Sequence, residues 1–154
     1  MAESSTVGAV LVVGGGVGGM QAALDLADSG YKVYLAEKNS SVGGAMAQLD
    51  KTFPSNDCAM CILAPRLVAV GRHLNIEILT NTDMVALYGE AGNFRARLRR
   101  RSTFIDPGKC TGCGECAQVC PVNLPNEFNL GLNLRKAISR RYPQAVPART
   151  PLTA

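Results

Sequence analysis

The pattern of hydrophobic and polar positions predicts a β-α-β unit at the start of the chain. Residues 7–13 form a short, unbroken apolar run rich in β-branched side chains, which is typical of a buried parallel strand. Apolar residues recur at helical spacing over 17–29, and Gly30 follows where helices often end. Residues 32–36 predict a second strand. This order of elements predicts a crossover connection and therefore a parallel sheet.

The remainder of the chain predicts further strands and one more helix. The apolar pattern is lost over 40–54, and residues 61–71 predict a short helix that Pro65 either starts or interrupts. Turn residues at 89–92 separate two of the later strand candidates. Three more strands are predicted in all, over residues 75–80, 83–88 and 93–99. After 106–108, Asp-Pro-Gly, the sequence changes to turn residues, cysteines and prolines, which indicates a domain boundary.

Composition excludes several classes of protein. The 154 residues are 47% hydrophobic and 18% charged, which is enough apolar material for a folded core. No apolar run reaches the roughly 18 residues that a membrane-spanning helix needs. The run at 7–13 also lacks the basic region and the cleavage site of a signal peptide. We therefore expect a soluble, cytoplasmic protein without a transmembrane segment, whose six cysteines are metal or redox ligands.

The net charge of +4 depends largely on one arginine-rich run. Its arginines alternate with Ala96 and Leu98, as on the polar face of a strand, and lack the interleaved aromatic residues of a nucleic-acid surface. We interpret the run as a solvated strand face or a docking patch, and we predict no nucleic-acid partner. It consists of Arg95, Arg97, Arg99, Arg100 and Arg101.

A glycine motif joins the first strand to the first helix. Gly14, Gly16 and Gly19 satisfy GxGxxG, a weak signal that gains weight because Glu37 ends the second strand about twenty residues later. Gly14 permits the tight turn, and Gly16 lets the backbone approach a pyrophosphate. Gly19 lets helix and strand pack closely, while the helix N-terminus faces the phosphate charge. Glu37 can accept hydrogen bonds from the adenosine ribose, so the motif predicts a dinucleotide site.

A glycine pair, Gly43 and Gly44, follows Glu37 and indicates which dinucleotide is bound. Taken alone, this pair could form an ordinary loop turn. Joined to the motif before it, the pair resembles the two-dinucleotide-binding flavoproteins, which include thioredoxin and glutathione reductases. The resemblance implies an α/β, Rossmann-type FAD-binding half-domain of that type. The FAD ligands that it implies are Gly14, Gly16, Gly19, Glu37, Gly43 and Gly44.

Four cysteines match the bacterial ferredoxin pattern CxxCxxCxxxCP. The short spacers let three thiolates converge on one cluster, and the glycines between them leave backbone N–H groups free to bond the sulfurs. Zinc is a competitor, although four-coordinate zinc sites usually use two separated pairs or include histidine. We predict a 4Fe-4S cluster in a ferredoxin-like segment, with the metal ligands Cys110, Cys113, Cys116 and Cys120.

The fourth cysteine of this pattern leaves an ambiguity. In two-cluster ferredoxins the first three cysteines bind one cluster and the fourth binds the other. A second cysteine run is absent from these 154 residues. Either Cys120 closes a single cluster, or further ligands come from a partner or from another segment.

A separate pair, Cys58 and Cys61, has CxxC spacing in the flavin half. It could be a redox disulfide with a thiolate stabilised by a helix N-terminus, a pair of cluster ligands, or two buried cysteines of a core helix. Spacing alone does not decide between these. His73, the single histidine, is predicted to be a surface or capping residue instead of a catalytic one.

The order of these motifs resembles the A subunit of heterodisulfide reductase over residues 7–147. The resemblance rests on the glycine motif, the stretch GGAMAQLDKTFP from Gly43, the stretch DCAMCILAP from Asp57, and then the ferredoxin pattern. It implies an oxidoreductase that passes electrons between FAD and iron–sulfur clusters and on to other iron–sulfur subunits of a redox complex. Family members continue with a second cysteine run and further flavin domains. We therefore expect an incomplete, N-terminal part that is not active alone.

Three regions follow from these observations. We predict a Rossmann-type FAD-binding domain over 1–106, a ferredoxin-like 4Fe-4S segment over 107–141, and an irregular tail over 142–154. The predicted function is that of an electron-transfer flavoprotein subunit. Two alternatives remain, namely an FAD-dependent disulfide reductase that uses Cys58 and Cys61, and a ferredoxin-like electron carrier that binds only the cluster.

Overall fold

A parallel sheet with helices packed against it forms the larger part of this computed structural model, which describes residues 8–148. The first part of the chain contains β1 (Ala9–Val13), α1 (Val17–Asp28), β2 (Lys32–Ala36), β3 (Lys51–Thr52), β4 (Asp57–Cys58), α2 (Ala59–Arg72), β5 (Ile76–Leu79), β6 (Thr82–Glu90) and β7 (Asn93–Arg100). The remainder contains α3 (Glu115–Val119), β8 (Asn123–Pro125) and β9 (Leu134–Lys136). Short 3₁₀ helices lie at Gly44–Gln48 and Glu127–Asn129. No helix within the described residues is long and apolar enough to cross a bilayer.

The central sheet has the strand order β1-β2-β5, and its strands are parallel. Ala9 pairs with Lys32 and Val33 pairs with Ile76, so β2 is the middle strand. One half of a doubly wound dinucleotide fold has this order, with the third strand beyond the second. The predicted Rossmann-type half-domain is confirmed. The predicted start of the first strand at residue 7 lies outside the described residues.

Helices α1 and α2 bury the apolar positions that their periodicity predicts. Side chains three and four residues apart share one face of a helix, so each helix presents an apolar stripe to the sheet and to the other helix. Full burial of a leucine side chain stabilises the fold by roughly 2 kcal/mol. The core contains Met20, Ala23 and Ala27 of α1, Leu63, Leu67 and Val70 of α2, and Val33 and Leu35 of β2.

Helix α2 continues through Pro65, where the sequence predicted a start or an interruption. The helix begins at Ala59, because Sγ of Cys58 accepts a hydrogen bond from the N–H of Cys61 at 3.1 Å and caps the first turn. A proline inside a helix costs about 3 kcal/mol. Leu63 and Leu67, on either side of the proline, are both fully buried, and their packing offsets this cost.

Strands β6 and β7 form an antiparallel hairpin outside the parallel sheet. Gly89 and Gly92, at its turn, have φ angles of 101° and 87°, a left-handed conformation that glycine adopts without strain. All five arginines of the predicted charged run are exposed, which agrees with a solvated strand face. The side chain of Arg101 donates a hydrogen bond to the carbonyl of Lys38 and so ties the hairpin to the end of β2.

Residues 142–148 contain no helix or strand, yet they pack into the core of the flavin half. Tyr142 and Ala145 are buried in the core cluster, and the Tyr142 ring stacks on Phe128 with the ring centroids 5.5 Å apart. The Tyr142 hydroxyl donates a hydrogen bond to the carbonyl of Val42 at 2.5 Å. The irregular tail was predicted over 142–154, and residues 149–154 lie outside the described part of the chain.

Replacing Tyr142 by phenylalanine should lower the free energy of unfolding by about 1–2 kcal/mol, because the Val42 carbonyl loses a buried donor. The melting temperature should fall by about 2–4 °C for each kcal/mol. Tyr31→Phe is the matched control, since Tyr31 is 44% exposed and should melt like the wild type. Equal melting temperatures for the two variants would show that this hydrogen bond does not anchor the segment.

The ionisation of Tyr142 gives a second measure of the same contact. Burial raises the pKa of Tyr142 to about 12, above the value of about 10 for an unfolded chain. The folded chain binds the hydroxyl proton of Tyr142 more tightly than the unfolded chain does. The contribution of this proton to the free energy of unfolding is therefore complete below pH 10 and is lost as the pH rises from 10 to 12. The stability difference between the wild type and Tyr142→Phe should therefore shrink in that interval.

Candidate functional site

The glycine turn lies between the end of β1 and the start of α1. The N–H of Gly14 donates to the carbonyl of Ala36 at 2.7 Å and so fixes the turn against the end of β2. A Cβ on Gly19 would collide with the carbonyl oxygen of Gly14, which explains why only glycine permits this close packing. A Cβ on Gly16, in contrast, would have no atom of the described chain within 4 Å. The Gly16 side of the turn is therefore open to a ligand.

Glu37 is buried at the end of β2 and fixes the glycine turn. Its Oε2 accepts a hydrogen bond from the N–H of Gly15 at 2.7 Å. Its Oε1 accepts bonds from the backbone N–H and the side-chain amide of Asn39, at 2.8 and 2.7 Å. A carboxylate has about four acceptor positions. Within residues 8–148, these three bonds leave one acceptor position of the carboxylate, on Oε2, without a hydrogen-bond partner.

Gly43 and Gly44 lie directly against the glycine turn. The N–H of Gly43 donates to the carbonyl of Gly15 at 2.7 Å. Their φ angles of 124° and 57° are in the left-handed region, and a Cβ on Gly44 would lie 2.9 Å from Cα of Gly16. The structure therefore brings the six predicted FAD ligands into one place, as the joined pattern of the two glycine groups in the sequence predicts.

An open pocket of about 300 Å³ lies at the carboxyl ends of β1 and β2. Dinucleotides bind in this position in parallel sheets, and 300 Å³ is within the usual range for ligand pockets. Strand β6 closes one side of it. Its lining includes Val13, Gly14, Glu37, Lys38, Asp83 and Met84.

A second cavity, of about 370 Å³, is lined by three of the four ferredoxin-pattern cysteines: Cys110, Cys113 and Cys116. Gly112 and Gly114 have φ angles of 76° and 87°, which direct the loop around the cavity. Within residues 8–148, no three histidine, cysteine, aspartate or glutamate side chains are close enough to bind a single metal ion. The cavity volume, many times that of one water molecule, fits a multi-atom cluster.

Cys120 is buried at the end of α3 and does not line this cavity. Its Sγ lies 3.7 Å from the carbonyl oxygen of Val122. Backbone hydrogen bonds from Ile138 and Val122 lower the pKa of the Cys120 thiol. Cys120 therefore lies in a different place from the other three cysteines, with its thiol pKa lowered by the backbone around it.

The loop that carries the cavity cysteines also acts on the thiol of Cys113. The backbone N–H of Glu115 and, second, the hydroxyl of Thr111 lower the pKa of Cys113. A lower pKa favours the thiolate, which is the form that binds a metal. The predicted ligand is thus prepared for coordination by its own loop.

Cys58 and Cys61 form a disulfide at the N-terminus of α2, with their Cα atoms 5.2 Å apart. Both residues are exposed, which contradicts the alternative of two buried core cysteines. His73 is the C-cap residue at the other end of this helix. Its Nδ1 accepts a hydrogen bond from the N–H of Asn75 at 3.1 Å, and its Nε2 lies 3.2 Å from Oδ1 of Asp28. This position agrees with the prediction of a surface or capping residue.

A pair of arginines, absent from the sequence predictions, connects the two cavities. Arg140 donates a hydrogen bond to the carbonyl of Gly112, between two cavity cysteines. Arg141 donates to the side-chain oxygen of Asn39 at 2.8 Å, and Asn39 in turn bonds Glu37. These contacts span 28 and 102 residues of sequence, so no local pattern could have marked either arginine.

Comparison with known families now identifies the class of protein. The sequence matches the family described as FAD dependent oxidoreductase over residues 9–111, and the 4Fe-4S binding domain over 103–125. The first match covers more than half of the chain, so this protein belongs to the FAD-dependent oxidoreductases. The predicted cofactors, FAD and a 4Fe-4S cluster, are confirmed.

Curated relatives are A subunits of heterodisulfide reductases, which confirms the resemblance found in the sequence. The chain is 56% identical over 138 residues to one of the iron-sulfur A subunits of the CoB--CoM heterodisulfide reductase of Methanopyrus kandleri, covering 90% of this chain and 21% of the relative. It is 54% identical over 137 residues to the corresponding A subunit of Methanocaldococcus jannaschii, covering 89% and 21%. The chain spans about a fifth of the length of these relatives.

Among solved structures, the L-proline dehydrogenase from P. horikoshii has a similar fold. Its TM-score is 0.50 and its sequence identity 22%, over 63% of this chain and 20% of that chain. At this identity the likeness concerns the fold alone, and it agrees with the α/β flavoprotein architecture.

Proposed function

We propose that this chain binds FAD and an iron–sulfur cluster in order to pass electrons between them and on to iron–sulfur partner subunits. The observation that carries the proposal is the joining of two sites in one fold. Six candidate FAD ligands surround one turn, and three candidate cluster ligands surround one cavity. The names of the relatives, subunits of heterodisulfide reductases, support a role within a larger redox complex.

In the proposed FAD site, the chain supplies shape and hydrogen bonds. Gly16 leaves open space for the pyrophosphate, Gly14 and Gly19 hold the turn, and the N-terminus of α1 attracts the phosphate charge. The free acceptor position of Glu37 takes a ribose hydroxyl. Gly43 and Gly44 support the turn from the opposite side. Bound FAD exchanges two electrons and a cluster exchanges one, so together they convert paired electrons into single ones.

In the proposed cluster site, Cys110, Cys113 and Cys116 are iron ligands. Cys120 has the sequence position of a ligand, and its place outside the cavity supports assignment to a second cluster, as in two-cluster ferredoxins. Ligand thiols must stay reduced, so we place this function in the reducing cytoplasm.

Cofactor analysis of the anaerobically reconstituted chain tests this proposal. We expect flavin, iron and acid-labile sulfide in the same purified protein, with flavin absorbance above a broad iron–sulfur shoulder. Cluster absorbance without flavin would instead support a ferredoxin-like carrier. Uptake of zinc without iron and sulfide would contradict the cluster assignment.

The exposed disulfide favours a second candidate, an FAD-dependent disulfide reductase that uses Cys58 and Cys61. Such an enzyme must transfer electrons from reduced FAD to this pair. Counting reactive thiols before and after reduction of bound FAD separates the candidates. Two new thiols per chain, at Cys58 and Cys61, would support the reductase, and an unchanged count would support electron transfer to the cluster.

A further inference from the structure

Arg140 brings a positive charge to the wall of the cysteine cavity. Among the described residues that line this cavity, it is the only one with a charged side chain, since the others are isoleucine, alanine, glycine, serine and cysteine. Its neighbours in the wall include Ser139 and the loop glycine Gly112. The adjacent Arg141 differs from Arg140, because it directs its guanidinium to Asn39 and away from the cavity wall.

Two backbone carbonyls hold the guanidinium of Arg140 in this position. Its Nη2 donates to the carbonyl of Gly112, and its Nη1 donates to the carbonyl of Pro143 at 3.3 Å. Packing is close, since a Cβ on Gly112 would lie 3.1 Å from Nη2. Within residues 8–148, no carboxylate forms an ion pair with Arg140. Its charge is therefore fixed in direction and not neutralised by a neighbour.

A fixed cation affects the two oxidation states of a cluster unequally. Reduction adds one negative charge to the cluster, and a nearby positive charge stabilises the reduced form more than the oxidised form. Net charge and hydrogen bonding are among the factors that set iron–sulfur reduction potentials. Arg140 is also exposed to solvent, so water and salt screen part of its field. The effect should be moderate and not extreme.

We propose that Arg140 sets the reduction potential of the cluster in this cavity, raising it so that the cluster accepts electrons more readily. The proposal rests on the proposed function, which assigns the cluster to Cys110, Cys113 and Cys116. Gly112 lies between the first two of these cysteines, and Arg140 donates a hydrogen bond to its carbonyl. Arg140 therefore both holds the cysteine loop and supplies the positive charge.

A potentiometric titration followed by electron paramagnetic resonance tests this role in the reconstituted 154-residue chain. Arg140→Gln should lower the equilibrium constant for one-electron reduction of the cluster about tenfold, which is a shift of about 59 mV to lower reduction potential. Arg140→Lys retains the charge and should restore most of the wild-type potential. Arg97→Gln is the matched control, because it removes an equal charge from the exposed hairpin and should leave the potential unchanged.

The outcomes separate this inference from the proposed function. If the wild-type chain binds no iron and sulfide, the cluster assignment fails before Arg140 is tested. If the cluster assembles and Arg140→Gln titrates at the wild-type potential, the inference about Arg140 is overturned while the cluster assignment stands. Loss of the cluster from both Arg140→Gln and Arg140→Met would also overturn it, because Arg140 would then serve assembly alone.

Discussion

A Gly16→Val chain should purify without flavin, with its affinity for FAD lowered about 100-fold or more, equivalent to roughly 2.8 kcal/mol. The valine side chain would occupy the open space in which the pyrophosphate must approach the backbone. The backbone of Gly16 has a φ angle of −73°, which any residue adopts, and a Cβ there meets no atom of the described chain within 4 Å. The expected loss is therefore mainly one of binding, with only a small cost to folding.

Two further glycines make this experiment specific. Gly18→Ala is the matched control, because Gly18 lies outside the GxGxxG positions and its Cβ would also have open space around it. It should retain FAD. Gly19→Ala should instead destabilise the fold, since its Cβ would collide with the Gly14 carbonyl. Gly16 is the N-cap residue of α1, and valine there should lower the free energy of unfolding by about 1 kcal/mol. A melting curve of Gly16→Val measures this cost independently of FAD binding. Equal FAD contents for Gly16→Val and Gly18→Ala would refute the assignment of the turn.

Cys113→Ser should remove the cluster almost completely while flavin binding persists. Serine replaces a soft thiolate by a poorer iron ligand, and Cys113 is the exposed cavity cysteine whose thiol pKa is already lowered. We expect the iron content and the iron–sulfur absorbance to fall to near zero. Because the side chain is exposed, the melting temperature of the flavin half should not change.

Cys120→Ser provides the contrast to this loss. Cys120 lies outside the cavity of about 370 Å³, so the cluster in that cavity should survive its replacement. Iron and sulfide analyses of the two variants, reconstituted side by side, decide the point. A chain that loses its cluster through Cys120→Ser and keeps it through Cys113→Ser would reverse our assignment of the ligands.

Local sequence patterns were sufficient for the β-α-β unit at the start of the fold, but not for the two short strands β3 and β4 or for the course of α2 through Pro65. The periodicity of residues 17–29 predicted α1, and the predicted bounds of β2 are those observed. The glycine turn could be assigned because its function depends on residues close together in sequence. The same holds for the cysteine loop, in which Cys110, Cys113 and Cys116 lie within seven residues and reach one cavity.

Contacts between distant segments could not be predicted in this way. The sequence predicts that Glu37 accepts hydrogen bonds from a ribose, but it does not predict the bond from the N–H of Gly15 to Glu37. That bond depends on how the glycine turn folds back over the end of β2. Tyr142 lies in a proline-containing segment without periodicity, and only the folded chain shows that it packs in the core. The place of Arg140 in the cavity wall likewise depends on a contact that spans 28 residues. Spacing carries no information about such contacts.

Light-driven reduction of the flavin tests the central claim most directly, namely that electrons pass between FAD and the cluster of this chain. In an anaerobic sample with a sacrificial amine donor, illumination reduces bound FAD, and electron paramagnetic resonance then detects reduced cluster. We predict that the reduced-cluster signal appears in the illuminated wild type, because this single internal step needs only the two cofactors of the chain and no turnover with partner subunits. The signal should be absent from illuminated Gly16→Val, which lacks FAD. Dithionite should still reduce the cluster of that variant. A wild-type cluster that stays oxidised beside fully reduced FAD would contradict the account.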